Sequence, residues 1–232
     1  MKEISNLDWD RLYNSLETCG HAQISSLLTK AECESLIQTF PNDAHFRSTI
    51  VMERYRFGKG TYRYFNYPIP SLIDRIRKDF YVGLAPIANR WMMALGIDIK
   101  YPDHYDEFID TCHHSGQTRP TPLILRYDAG GFNTLHQDLY GTVYFPFQIV
   151  IMLTEAGVDY HGGELVFTEQ LPRAQSKATV VAPGLGDAVI FTTNFRPVKG
   201  SRGFYRSRMK HGISEVLSGT RYACGIILHD AA

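Results

Sequence analysis

Cysteine is scarce in this chain: four among 232 residues, at positions 19, 33, 112 and 224, and none in C-x-x-C spacing. That excludes a disulfide scaffold and predicts free thiols in a reducing compartment. Cys112-His113-His114 lacks the second ligand pair that a zinc finger needs. Long apolar runs are missing as well; none approaches the roughly 18 residues of a membrane span. The N-terminal MKEISNLDWDRLYNSLETCG carries acids early and has no apolar signal region, so a cytoplasmic location is expected. Nor is there an excess of either charge: 24 basic residues face 24 acidic ones, which is not the strongly basic footprint of a dedicated nucleic-acid binder. What is present, 44% hydrophobic and 21% charged residues, is enough to bury a sizeable core. We expect a single domain over 1–232, with 1–118 a helical and extended elaboration and 119–232 the core.

Local signals divide the chain accordingly. Residues 8–18 and a segment opened by Thr29-Lys30-Ala31-Glu32, a capping box, are predicted helices, the second ending before Pro41. Residues 48–66 look extended. From Ser71 to Leu95 the apolar positions Leu72, Ile73, Ile76, Phe80, Leu84, Ile87, Trp91 and Leu95 recur at helical steps, with a break expected near Gly83–Pro86. From Thr121 onward come short β-type runs bounded by Gly, Pro and Asp: TPLILRY, FNTLH, FPFQIVIML, GELVF, ATVVAP, DAVIFTT, GFYRSRMKH and RYACGIIL. The predicted class is α+β, a mainly β core whose N-terminal helices buttress one face.

The β half carries the chemistry. His136-Gln137-Asp138 lies in a predicted strand, where alternate side chains share a face, so residues 136 and 138 can grip one metal while Gln137 points away. His104-Tyr105-Asp106 has the same spelling but falls in a helical stretch, where positions two apart do not face together. With His211, the set is two imidazoles and a carboxylate, the facial triad of non-haem Fe(II) oxygenases, which leaves three metal positions open. FYRSRMKHGISEVLSGTRYACGIILHD reads as two strands around Ser218-Gly219, making His211 and Arg221 near neighbours across a hairpin. Arg221 offers a planar fork for a carboxylate, with Arg126 and Arg173 the alternatives. Gln148, the only polar residue between Phe147 and Leu153, points either into a co-substrate pocket or to solvent. Gly162-Gly163-Glu164 predicts a tight turn beside the site, with Glu164 structural. His161 and His229 are expected to be structural.

LRYDAGGFNTLHQD, YHGGEL, PGLGDAVIF and the His211–Arg221 segment, in this order, resemble the Fe(II)/2-oxoglutarate-dependent dioxygenase superfamily. The wider chain, including RYRFGKGTYRYFNYPIP, LAPIANRWMMALG, EQLPRAQS and GIILHDA, is similar to a bacterial subfamily described as oxygenases acting on damaged nucleic acid. The resemblance implies a double-stranded β-helix, a cupin-like jelly roll, with Fe(II) on His136, Asp138 and His211. It also implies 2-oxoglutarate and O2 as co-substrates, with the Tyr127 hydroxyl and Arg221 on 2-oxoglutarate. One oxygen atom would go to succinate and the other to a substrate C–H bond. A hydroxyl on an N-methyl carbon then releases formaldehyde, so hydroxylation and demethylation share one reaction.

For a nucleic-acid substrate, Arg196, Lys199 and Arg202 are the candidate phosphate contacts, and Tyr140 and Tyr144 the candidate stacking rings. Arg206, Arg208 and Lys210 alternate away from His211 and read as a solvated outer face. Two other readings stay open: a prolyl-hydroxylase-like enzyme acting on a protein side chain, peptide or amino acid, and a cupin-like module that binds without turnover. Arg221 argues against the last, since a pure binder has no use for a co-substrate clamp.

Overall fold

A computed structural model describes residues 1–171 and 174–232. Arg173 lies outside them. Four helices, α1 (Trp9–Cys19), α2 (Lys30–Thr39), α3 (Ser71–Ala94) and α4 (Tyr105–His114), accompany fourteen strands among the described residues. The strands are β1 (His21–Ile24), β2 (Phe46–Val51), β3 (Gly58–Lys59), β4 (Thr61–Phe65), β5 (Leu123–Asp128), β6 (Phe132–His136) and β7 (Phe147–Met152). They continue with β8 (Tyr160–Gly162), β9 (Leu165–Gln170), β10 (Lys177–Val181), β11 (Ala188–Thr192), β12 (Phe195–Gly200), β13 (Gly203–Ile213) and β14 (Val216–Ile227). No helix is long and apolar enough to cross a membrane among these residues.

The strands form two antiparallel sheets. The larger runs β1-β11-β7-β14-β5-β4-β2, with β8 also on β14; the smaller runs β10-β9-β13-β6-β3, with β12 also on β13. This is the expected jelly roll. Strands from before residue 119 join both sheets, so the β core is not confined to the C-terminal half.

The central strand β7 is buried at every position. Phe147, Ile149 and Ile151 join Ala188, Ile190, Cys224 and Ile226 under the helices, whereas Val150, Met152, Val189, Phe191 and Ala223 face the other sheet. A strand covered on both sides reads as a continuous apolar run, which is why FPFQIVIML shows no alternation. The helices do cover one face of the larger sheet. Helix α1 is capped by Asp8, which accepts the Arg11 N–H at 3.0 Å, and α2 carries the complete Thr29–Glu32 capping box. Beneath them Arg77 of α3 donates to Asp230 at 2.6 Å, both buried, fastening the C-terminal segment to the helical layer.

Two expectations fail. Helix α3 runs unbroken through Gly83 and Pro86. Pro86 lacks the N–H that would bond Val82, but the following carbonyl, Gly83, accepts from the Tyr13 hydroxyl, and packing of α3 on α1 and the sheet keeps the helix continuous. Gly83 is there for proximity: a Cβ would lie 2.0 Å from the Trp9 ring. The second failure is the hairpin. Ser218 and Gly219 lie inside β14, opposite His161 and Tyr160 of β8, and the chain turns instead at Ser214-Glu215. Strands β13 and β14 are not paired; they belong to opposite sheets.

Candidate metal centre and co-substrate pocket

His136 is the last residue of β6 and Asp138 lies just beyond it; His211, near the end of β13, is the direct cross-strand partner of His136. Their ligand atoms lie within 4.8 Å of one another. The Nε2 of His211 is 3.2 Å from Asp138 Oδ2, and that of His136 is 3.5 Å from Oδ1. The His136 Nδ1–H donates to the Thr134 carbonyl at 2.7 Å, an arrangement that leaves the Nε2 lone pair for a metal. Gln137 lines the cavity but turns its amide nitrogen away from the metal set, donating to Asn194 and to the Met209 carbonyl. His104-Tyr105-Asp106 opens α4, with His104 as its N-cap, and belongs to no such cluster among the described residues, because the helix turns the side chains of its first and third residues apart.

Electrostatics favour a cation here. Burial would raise the Asp138 pKa, but the hydrogen bond and charge of His211, the charge of His136 and the Tyr140 hydroxyl hold it well below the ordinary carboxylate range. Burial and the neighbouring His211 lower the pKa of His136. One anionic and one neutral donor, kept unprotonated, suit a divalent ion.

The set opens on a cavity of about 230 Å3 between the sheets. Arg221, on β14, projects into it from the opposite sheet and is 1% exposed. Its Nη2 lies 3.3 Å from Met152 Sδ, its Nε has no partner, the Tyr160 hydroxyl faces the guanidinium, and no carboxylate lies within 4 Å among the described residues. Burial lowers its pKa, opposed by Tyr160 and Tyr127, whose rings lie 5.9 and 5.6 Å from the guanidinium. A buried guanidinium without an anion is costly, and the missing charge is what a dicarboxylate supplies. Gly163 lets the arginine pass, since its φ is +66° and a Cβ would meet Arg221 Cδ at 2.9 Å. That is the expected turn beside the site. Glu164, as expected of a structural residue, is tied to the Ser214 hydroxyl.

Tyr127 and Gln148 line the same cavity. The Tyr127 hydroxyl and the Gln148 Nε2 are both buried without hydrogen-bond partners. Burial raises the Tyr127 pKa, so its O–H stays a donor. Gln148 faces the pocket and not solvent, because β7 is central to its sheet. Arg126, the alternative clamp, is 42% exposed at its side chain and pairs with Asp128.

The expected nucleic-acid residues fare differently. Arg196 is 8% exposed, pairs with Glu169 at 2.8 Å and donates to the Glu17 carbonyl, so its charge is spent internally and it is unavailable to phosphate. Lys199 and Arg202 are exposed at the far end of the β12–β13 hairpin. Nine residues of strand separate Arg202 from His211, roughly 30 Å at 3.3 Å each. Tyr144 packs against the helical layer and does not line the cavity. Tyr140 does line it, but its hydroxyl donates to Asp138 Oδ1 at 2.6 Å and accepts from Tyr64 at 3.1 Å, so it orients a ligand instead of offering a free face. Arg206, Arg208 and Lys210 are exposed on the outer face, as alternation indicated. Sequence reasoning missed the cavity residues Phe57, Tyr62 and Tyr64; the signal was present in RYRFGKGTYRYF, where aromatics and cations alternate.

Two facing sheets, a His-Asp-His set on one and an unpaired buried arginine on the other, define a class: the 2-oxoglutarate-dependent non-haem iron oxygenases. Residues 60–231 match the family described as "Oxygenase, catalysing oxidative methylation of damaged DNA", and the chain belongs to that family. An uncharacterized protein of Mycobacterium tuberculosis is 46% identical over 165 residues, 71% of each chain. Among solved structures, a Pseudomonas putida prolyl-4-hydroxylase aligns over 97% of this chain and 99% of its own, with TM-score 0.57 and 14% identity. A Burkholderia pseudomallei oxidoreductase of the 2OG-Fe(II) oxygenase family aligns over 98% and 93%, with TM-score 0.55 and 14% identity. The viral collagen prolyl hydroxylase of Paramecium bursaria Chlorella virus-1, in its 2OG complex, aligns over 90% and 96%, with TM-score 0.53 and 17% identity. These likenesses are of fold. The chain is an enzyme of this oxygenase class and not a binding module, with Fe(II) and 2-oxoglutarate as the matching cofactor and co-substrate.

Proposed function

We propose that His136, Asp138 and His211 hold Fe(II), that Arg221 holds the distal carboxylate of 2-oxoglutarate with help from Tyr127 and Gln148, and that the substrate is a modified base in nucleic acid. The observation that carries the co-substrate assignment is the buried, anion-free guanidinium of Arg221, in one cavity with the metal set. When bound, the iron supplies oxygen activation coupled to conversion of 2-oxoglutarate into succinate and CO2. The chain's own residues do the rest. The Thr134 carbonyl fixes the His136 tautomer, Tyr140 holds one oxygen of Asp138, and Phe191, its ring tilted against His211 with centroids 4.7 Å apart, helps keep water from the site.

The base assignment is supported by the family's description and by the cavity's form. A base inside a duplex cannot reach a metal between two sheets, so the substrate must be single-stranded or flipped out. The fold also carries peptide hydroxylases, as in the prolyl hydroxylase of Trichoplax adhaerens solved with a peptide fragment, and substrate identity does not follow from fold. A succinate-release screen over methylated oligonucleotides, nucleosides, peptides and amino acids separates the two. Turnover driven by methylated oligonucleotides alone is expected; turnover driven only by a peptide or amino acid would replace this reading with a hydroxylase.

A further inference from the structure

The cavity has a lip that the site chemistry does not use. Residues 54–59, Arg-Tyr-Arg-Phe-Gly-Lys, leave the buried anchor Met52 and return to the smaller sheet through β3, which pairs with Asn133 and Phe132 of β6, the strand that ends at His136. The Phe57 carbonyl accepts both the N–H and the hydroxyl of Thr134, at 2.9 and 2.8 Å, so the backbone is fastened while the side chains stay outside. Phe57 lines the cavity yet is 46% exposed, and Tyr55, 55% exposed, stacks on it with centroids 5.5 Å apart and planes at 19°. Two large rings stacked face to face in water, at the entrance to a reactive cavity, present a flat platform with no internal packing role.

The same loop carries Arg54, Arg56 and Lys59, all exposed, and none has a carboxylate within 4 Å among the described residues. The adjoining acid, Glu53, accepts the Gly60 N–H at 3.3 Å, and Lys59 Nζ donates to the Ala129 carbonyl at 3.4 Å. Arg56 sits at φ +60°, in the left-handed region where glycine or asparagine would be at ease. Its side chain is exposed to solvent. Interleaved cations and stacked rings are what a single-stranded nucleic acid requires: charge along the backbone, π faces for unstacked bases. An apolar peptide would leave the cations unused, and an acidic peptide would use the cations but not the paired ring platform.

We propose that this loop is the substrate-binding lip, taking single-stranded nucleic acid with a base stacked on Tyr55 and Phe57 and phosphates on Arg54, Arg56 and Lys59. This deepens the nucleic-acid reading above and rests on it. It moves the contact surface from the distant Lys199–Arg202 hairpin tip to the cavity edge.

The test is binding of a fluorescein-labelled oligothymidylate to the full-length protein across a salt series, with 2-oxoglutarate affinity measured in parallel as a check on folding. Tyr55→Ala and Phe57→Ala are each expected to weaken binding about five- to a hundredfold, the range for losing one stacked base. Replacing Arg54, Arg56 and Lys59 with alanine should flatten the slope of log affinity against log salt by about 0.7 per lost phosphate contact, about 2 in all. Lys199→Ala with Arg202→Ala should change neither. Steep, salt-dependent binding by the wild type that survives every loop substitution would overturn the lip and leave the nucleic-acid reading standing. Absence of salt-dependent oligonucleotide binding by the wild type, with turnover on a peptide, would overturn both.

Discussion

At the residue scale the decisive group is Arg221. It is 1% exposed and has no carboxylate partner among the described residues, so an anion in the cavity beside it would offset its burial. One charge-assisted pair there is worth about 1.5–3 kcal/mol, so Arg221→Ala should weaken 2-oxoglutarate binding about ten- to a hundredfold while iron binding is little changed. Lysine should rescue only part, because it lacks the fork. Calorimetric titration of both variants checks this, and an unchanged co-substrate affinity would move the clamp elsewhere. His229 makes a second prediction. It is fully buried, its Nδ1 accepts the Phe145 N–H at 3.2 Å, and burial, with the charge of Arg77, pushes its pKa down to about 4 from 6.5. Because the unfolded chain takes up this proton and the folded chain resists it, stability is full above pH 6.5 and falls as pH drops toward 4. The loss amounts to about 3 kcal/mol from this group. His229→Asn, which keeps an acceptor and removes the titration, should flatten that part of the stability–pH profile in urea melts; an equal slope in both proteins would count against it.

At the element scale, α3 shows packing overriding local punctuation. Glycine and proline three residues apart read as a break, yet the helix continues because Trp9 fills the space above Gly83 and Tyr13 satisfies its carbonyl. Gly83→Ala gains about 1 kcal/mol of helix propensity but drives a methyl into the Trp9 ring, an overpacking cost of about 1–3 kcal/mol. Net destabilisation is expected in chemical denaturation, with recovery when Trp9→Leu makes room. A gain in stability from the single substitution would mean that α1 yields easily. The strands carry the same lesson in reverse: β7 was legible as a strand from its β-branched content, whereas the partnership of β13 and β14 was not. A turn signal at Ser218-Gly219 is local, but which sheet each strand joins depends on pairing with β5, β7, β6 and β9, far away in sequence.

At the scale of the whole molecule, the metal set sits on the smaller sheet and Arg221 on the larger. A 2-oxoglutarate molecule held by both would bridge the sheets. Each ligand at a hundredfold excess over its dissociation constant stabilises the fold by about 2.7 kcal/mol. In anaerobic melts, 2-oxoglutarate should raise Tm clearly more with Fe(II) present than without it. The same increment in both conditions would show that the co-substrate binds one sheet alone.

What the sequence determined by itself were the features set by neighbours within a few residues. These are the caps of α1 and α2, the helical period of α3, the strand character of the C-terminal half, the His136/Asp138 spacing and the helical setting of the His104 decoy. His211 and Arg221 were singled out from the segment that carries the family resemblance, although the hairpin expected to join them is not formed. Only the tertiary structure decided where those residues stand. It put His211 and Arg221 on opposite sheets, turned Arg196 inward onto Glu169, carried Lys199 and Arg202 away from the cavity, and brought Phe57 to its edge. The reason is physical: burial and charge pairing are settled by contacts between segments tens of residues apart, and no local period or motif encodes the partner.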